Sequence, residues 1–212
     1  MSGADPRVRA VLKLAPVIPV YTPESVDEAV HVAQALFNGG LPVIEVTLRT
    51  AIAMDAIQAM VEAVPDAVVG AGTVLTAAQM ERVKAVGGRF AVAPGATERL
   101  YAAARETDLP FLPGVATSSE LMLGLEHGLD TFKFFPAVQA GGVGMLSAWN
   151  GPFGDVRFCP TGGISAQTAS QFLHLPNVLC VGGSWLTTRE LLQARDWAGI
   201  EALARAAAVL PG

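Results

Sequence analysis

The segment Asp130-Thr131-Phe132-Lys133-Phe134-Phe135-Pro136 sets an amine in an aromatic run, and Lys133 is one of only three lysines in the chain, with Lys13 and Lys84. Aromatic surroundings remove solvation from an ammonium, so the pKa of Lys133 is expected to fall towards neutrality, leaving free base to attack a carbonyl carbon. That is the chemistry of a Schiff-base lysine. The competing account is a lysine whose stem packs on apolar surface while its head reaches water.

A second polar group stands in the run Val43-Ile44-Glu45-Val46-Thr47-Leu48-Arg49. With a strand's period of two, Glu45, Thr47 and Arg49 share one face and Ile44, Val46 and Leu48 the other. By the same parity Lys133 goes with Thr131 and Phe135, while Phe132 and Phe134 face away. If the polar faces of both strands line one interior, Glu45 comes within reach of Lys133 as charge partner and proton-transfer group. A buried structural ion pair is the plainer alternative. Third, two glycine doublets follow late strands, in Thr161-Gly162-Gly163-Ile164-Ser165 and Val181-Gly182-Gly183-Ser184-Trp185. Read as entrances to helices, they offer backbone N–H groups and a helix dipole to an oxyanion, with the Ser184 hydroxyl as a further donor. Tight turns that only reverse the chain would look similar.

The elements that must position these groups repeat along the chain. Apolar, β-branched runs at 17–21, 43–48, 67–73, 90–93, 111–115, 131–135, 157–160 and 178–181 alternate with segments of helical period. Thr22 with Pro23, Thr50, Thr76, Thr97 and Thr117 are the expected helix caps. Eight strand–helix units of roughly 20–25 residues, with no linker between halves, predict a single α/β domain over 1–212, a (β/α)8 TIM barrel preceded by a short helix from Pro6 to Leu14. An open parallel sheet is the competing architecture, but its glycine-rich ligand turn would follow the first strand, not the last two. In a barrel the chemistry sits where the strands end.

Composition narrows the partners. About half of the 212 residues are apolar and the formal net charge is −5, and no basic run invites nucleic acid or an anionic membrane. The apolar segments are too short to span a bilayer, and the first residues lack a secretory apolar core, so a cytoplasmic location is expected. Cys159 and Cys180 read as buried free thiols. His31, His127 and His174 show no metal-ligand spacing, so no metal and no cofactor are expected, and His127 reads as the end of a helix.

Glu45-Val46-Thr47-Leu48-Arg49-Thr50, Gly70-Ala71-Gly72-Thr73-Val74, Ala93-Pro94-Gly95, Phe132-Lys133-Phe134-Phe135-Pro136-Ala137, Arg157-Phe158-Cys159-Pro160-Thr161-Gly162-Gly163 and Gly182-Gly183-Ser184-Trp185 together resemble the class I 2-keto-3-deoxy-6-phosphogluconate (KDPG) aldolase and 4-hydroxy-2-oxoglutarate (KHG) aldolase family, from about Pro16 to Leu186. The resemblance implies cleavage of KDPG to pyruvate and glyceraldehyde 3-phosphate, the last step of the Entner-Doudoroff route. It implies Lys133 as the Schiff-base lysine, Glu45 as the acid and base, and Arg49 on the pyruvyl carboxylate. It further implies Thr73 at that carboxylate, Pro94 and Phe135 against the pyruvyl portion, Gly162, Gly163 and Ser184 at the phosphate, and Thr161 among the substrate-binding residues. A homotrimer is implied as well. Val138 departs from an acidic residue in many relatives, and Ser118-Ser119 from a Thr-Pro-like helix start. Neither departure touches the chemistry. An aldolase for the galactonate epimer, a phosphate-binding isomerase or epimerase, and a barrel that only binds phosphorylated metabolites are the alternatives.

Overall fold

The computed structural model describes residues 6–211. In chain order the helices are α1 (Pro6–Leu12), α2 (Val26–Asn38), α3 (Ala53–Ala63), α4 (Ala77–Ala85), α5 (Glu98–Thr107), α6 (Ser118–Glu126), α7 (Gly142–Trp149), α8 (Ala169–Leu173), α9 (Arg189–Ala194) and α10 (Trp197–Ala208). The strands are β1 (Val17–Tyr21), β2 (Val43–Thr47), β3 (Val68–Gly72), β4 (Ala91–Val92), β5 (Phe111–Leu112), β6 (Gly114–Val115), β7 (Thr131–Phe134), β8 (Arg157–Pro160) and β9 (Val181–Gly183).

All strand pairs are parallel. Six strands run in the order β5-β4-β3-β2-β1-β9 and three in the order β6-β7-β8. That is the sequential order of a TIM barrel, with the ladder interrupted in two places. The expected fifth strand is divided at Pro113, which has no N–H to give, although its carbonyl still accepts from the Lys133 N–H at 2.9 Å. Between β8 and β9 only the isolated bridges Phe158–Val178 and Thr161–Gly182 remain. The sheet is therefore curled and barrel-like, and the fully closed ladder expected from the sequence is not formed.

Strand parity separates two apolar layers. Val17, Tyr21, Ile44, Val46, Phe132, Phe134 and Phe158 belong to the large core between strands and helices. Ile18, Val43, Phe90, Val92, Leu112, Cys159 and Cys180 form a second cluster with Val8 and Leu12 of α1. The alternation of one strand set between two clusters means that the second is the interior, and α1 plugs it. Arg9 anchors the plug with an ion pair to Asp130 at 2.8 Å and a hydrogen bond to the Asp155 carbonyl at 3.2 Å. Each fully buried Val, Leu, Ile or Phe side chain of the two clusters contributes about 1.5–3 kcal/mol of transfer free energy.

The caps are partly as expected. Thr76, Thr97 and Thr117 cap α4, α5 and α6, the first and third in reciprocal capping boxes. Thr22 and Thr50 do not cap. Ser25 caps α2, accepting from the Glu28 N–H, because the chain leaves β1 through a short loop before turning. The Thr22 hydroxyl instead meets that of Thr47 at 2.7 Å, and Thr50 donates to the Pro23 carbonyl at 2.9 Å. The first helix ends at Leu12, two residues early. His127 is the C-cap of α6, as read.

Candidate active site

Lys133 and Glu45 meet across the interior. The Lys133 Nζ donates to Glu45 Oε1 at 2.8 Å and to Oε2 at 3.1 Å, and the side chains are only 7% and 5% exposed. Their strands, β7 and β2, belong to different sheets, so the pair spans the curl. A lysine this buried is not a snorkelling one. Cys159, in register with Lys133 on β8, and Cys180 belong to the interior cluster. The Phe135 ring lies with its centroid 5.3 Å from Nζ.

Glu45 has its place because of a residue on the next strand. Gly72 pairs with Thr47, and a Cβ built on it would collide with Oε1, Cγ and Cδ of Glu45. Gly72 escaped the residue-by-residue reading, although glycine inside a strand is a recognised sign of close approach. Thr22, expected as a helix cap, instead shares a hydrogen bond with Thr47 on the interior face.

The remaining residues stand at the strand exits. Arg49 lies just past β2 and is exposed, and Pro94 is exposed past β4. Thr73 follows β3 with φ 60°, a left-handed conformation that costs a β-branched residue about 1–3 kcal/mol. Such strain gathers at functional sites. Thr161 is buried at the end of β8, while Gly162 and Gly163 turn there at φ 105° and 76°. The Ala137 and Val138 N–H groups donate to the Thr161 and Gly162 carbonyls at 2.8 and 3.1 Å, joining this turn to the segment after Lys133. Among the described residues, Lys133, Glu45 and Phe135 are in contact. Arg49, Thr73, Pro94, Gly162, Gly163 and Ser184 ring the same end without a hydrogen bond or ion pair to that pair.

One expectation about the glycine doublets needs correction. Gly182 and Gly183 belong to β9, pairing with Ile18 and Pro19. The chain then turns through Ser184, and α9 opens only at Arg189; after Gly162 and Gly163, α8 opens only at Ala169. Neither doublet enters a helix directly, so any anion there meets backbone N–H groups and hydroxyls without a helix dipole behind them. Ser184 is exposed and lines a cavity of about 420 Å³ with Val20 and Thr22.

Both cysteines are buried free thiols. Burial, and then the neighbouring Cys159, push the Cys180 thiol well above its ordinary range. Among the described residues no group of three or more His, Cys, Asp or Glu could hold a metal ion, and no helix is long and apolar enough to cross a membrane.

A curled parallel α/β sheet whose interior holds a buried lysine–carboxylate pair is the framework of a barrel-type, imine-forming lyase. Residues 8–203 match the family described as KDPG and KHG aldolase, and the chain belongs to that family. The KHG/KDPG aldolase of Escherichia coli (strain K12) is 51% identical over 198 residues, which cover 93% of this chain and 93% of the relative. A crystal structure of KDPG aldolase from Legionella pneumophila, with pyruvate captured at low pH as a covalent carbinolamine intermediate, superposes with a TM-score of 0.93 at 46% identity, covering 95% of this chain and 98% of that one. The 2-keto-3-deoxy-6-phosphogluconate aldolase of Zymomonas mobilis ZM4, crystallised with 3-phosphoglycerate, gives the same TM-score and identity, with 98% and 97% covered.

Proposed function

We propose that the chain is a class I aldolase cleaving KDPG to pyruvate and glyceraldehyde 3-phosphate, and also acting on 4-hydroxy-2-oxoglutarate. The observation that carries the reading is the 2.8 Å approach of Lys133 Nζ to Glu45 Oε1, with both side chains buried. A carboxylate at hydrogen-bond distance can take a proton from the ammonium and leave the amine nucleophilic. The amine adds to the C2 ketone. The carboxylic acid returns the proton to the carbinolamine hydroxyl, water leaves, and an iminium remains with Glu45 again a carboxylate.

Glu45, directly or through one water, then takes the proton of the C4 hydroxyl. The C3–C4 bond breaks, its electron pair passes into the iminium to form an enamine, and C4 departs as the aldehyde of glyceraldehyde 3-phosphate. Glu45 gives the proton to C3, and hydrolysis of the iminium releases pyruvate and restores the lysine. Arg49, free of any carboxylate partner among the described residues, grips the substrate carboxylate in its planar fork, with Thr73 beside it. Pro94 and Phe135 flank the pyruvyl carbons. Thr161, Gly162, Gly163 and Ser184 hold the phosphate, and the two anchored ends fix the ketone against Nζ.

The proposal extends to a homotrimer in the cytoplasm acting in the Entner-Doudoroff route. Exposed Met122 and Leu125 on one side of α6 support an assembly surface, and two unpaired cysteines suit a reducing compartment. The test of the reaction is pyruvate release from KDPG, from its galactonate epimer and from 4-hydroxy-2-oxoglutarate. Fastest release from KDPG is expected; release from the epimer alone would overturn the substrate assigned.

A further inference from the structure

The phosphate end proposed above is built from neutral groups. Thr161, Gly162, Gly163 and Ser184 bring hydroxyls and N–H donors to a dianion, in a protein whose own net charge is −5. No lysine is at hand to balance it. Lys84 donates to the Thr107 carbonyl, Lys13 follows α1 at the plugged end, and Lys133 faces Glu45.

The arginines near the strand exits are few, and most are assigned. Arg49 follows β2 and takes the carboxylate in the mechanism above. Arg99, in the first turn of α5, lines a separate cavity with Leu75, Thr76 and Thr97. Arg195 lies 3.9 Å from Asp27. Arg189 remains. It lines the same cavity of about 420 Å³ as Ser184, Val20 and Thr22, and among the described residues no carboxylate stands within ion-pair distance of it. Its neighbour Glu190 is turned to its own backbone N–H and to Thr188, and those bonds, before the charge of Arg189, hold its carboxyl low.

We propose that Arg189 is the cationic part of the phosphate subsite, sharing its cavity with Ser184 and setting the preference for phosphorylated over unphosphorylated substrates. The inference rests on the aldolase reading. Two carboxylates also line the cavity, Glu24 and Glu28. Glu28 is engaged, accepting from the Tyr21 hydroxyl at 2.6 Å and from the Glu24 N–H at 3.4 Å. Glu24 is exposed and opposes the phosphate, so the arginine offsets it. An exposed guanidinium acting on a dianion in high dielectric is a modest contact, and it changes discrimination more than turnover.

The experiment is a steady-state comparison of KDPG with 4-hydroxy-2-oxoglutarate in wild type, R189Q and R189K. For R189Q the ratio of kcat/KM for the phosphorylated to that for the unphosphorylated substrate is expected to fall about three- to ten-fold, through KM for KDPG. R189K should keep the larger part of the ratio, because the charge stays. An unchanged ratio in R189Q, or equal loss in R189K, would overturn the assignment while leaving the aldolase intact. Wild-type protein that forms an imine with pyruvate but cleaves no KDPG would overturn the substrate reading, and Arg189's role with it.

Discussion

Gly72 and Glu45 occupy neighbouring strands so closely that no side chain fits on the glycine: any Cβ there would overlap the Glu45 carboxylate. The position of the carboxylate proposed as acid and base is thus set by an absent side chain. Gly72→Ala should shift that carboxylate while leaving Lys133 in place. A misplacement of about 1 Å costs roughly a hundred-fold in rate, so kcat for KDPG cleavage is expected to fall by about one to two orders of magnitude. Wild-type kcat in the folded variant would mean that Glu45 tolerates displacement and is not the proton carrier.

Glu45→Gln retains the size of the side chain and removes its basicity. Turnover should drop by roughly two or more orders of magnitude, with substrate binding kept, and single-turnover kinetics would separate the two. Undiminished turnover would remove Glu45 from the mechanism.

The thiols make a different prediction. Cys180 is buried, and its thiol is pushed upward, so the reactive thiolate is rarer at any given pH than in an open chain. At pH 8 the native protein should leave Cys180 unlabelled by iodoacetamide, and denaturant should release it at once. Rapid native labelling would contradict the packed interior described for it.

The plug can be weighed by shortening it. Leu12 is 1% exposed among the interior residues, and Leu12→Ala should cost about 2–5 kcal/mol of stability. Denaturant melts would read that loss directly. A cost within a few tenths of a kcal/mol would mean that α1 merely rests on the interior.

Period-two alternation was enough to put Glu45 and Thr47 on one face and Ile44 and Val46 on the other, because in a strand the face follows from position alone. The odd lysine among aromatics was equally plain, and strand parity carried both groups to one interior. What parity could not supply was the hydrogen bonding of turns. Thr22 and Ser25 both suit an N-cap, and the choice between them depends on how far the chain travels after β1 before it bends. The extension of β9 through Gly182 and Gly183 was hidden for a related reason: glycines read as a turn until a neighbouring strand, here β1, pairs with them. Pro113 was visible in the sequence, yet its interruption of the ladder is a matter of which neighbour would have needed its N–H. Parity had already set Arg49 on the face of Glu45, but Thr73 and Pro94 were reached through family resemblance, since nothing in their local pattern ties them to Lys133.

The most direct test is borohydride reduction in the presence of pyruvate, followed by intact mass and peptide mapping, with Lys133→Met as control. The account predicts a single reduced pyruvyl adduct on Lys133 in the wild type and none in the control. No adduct on folded wild-type protein, or an adduct of equal yield in Lys133→Met, would contradict the central claim that Lys133 forms the imine.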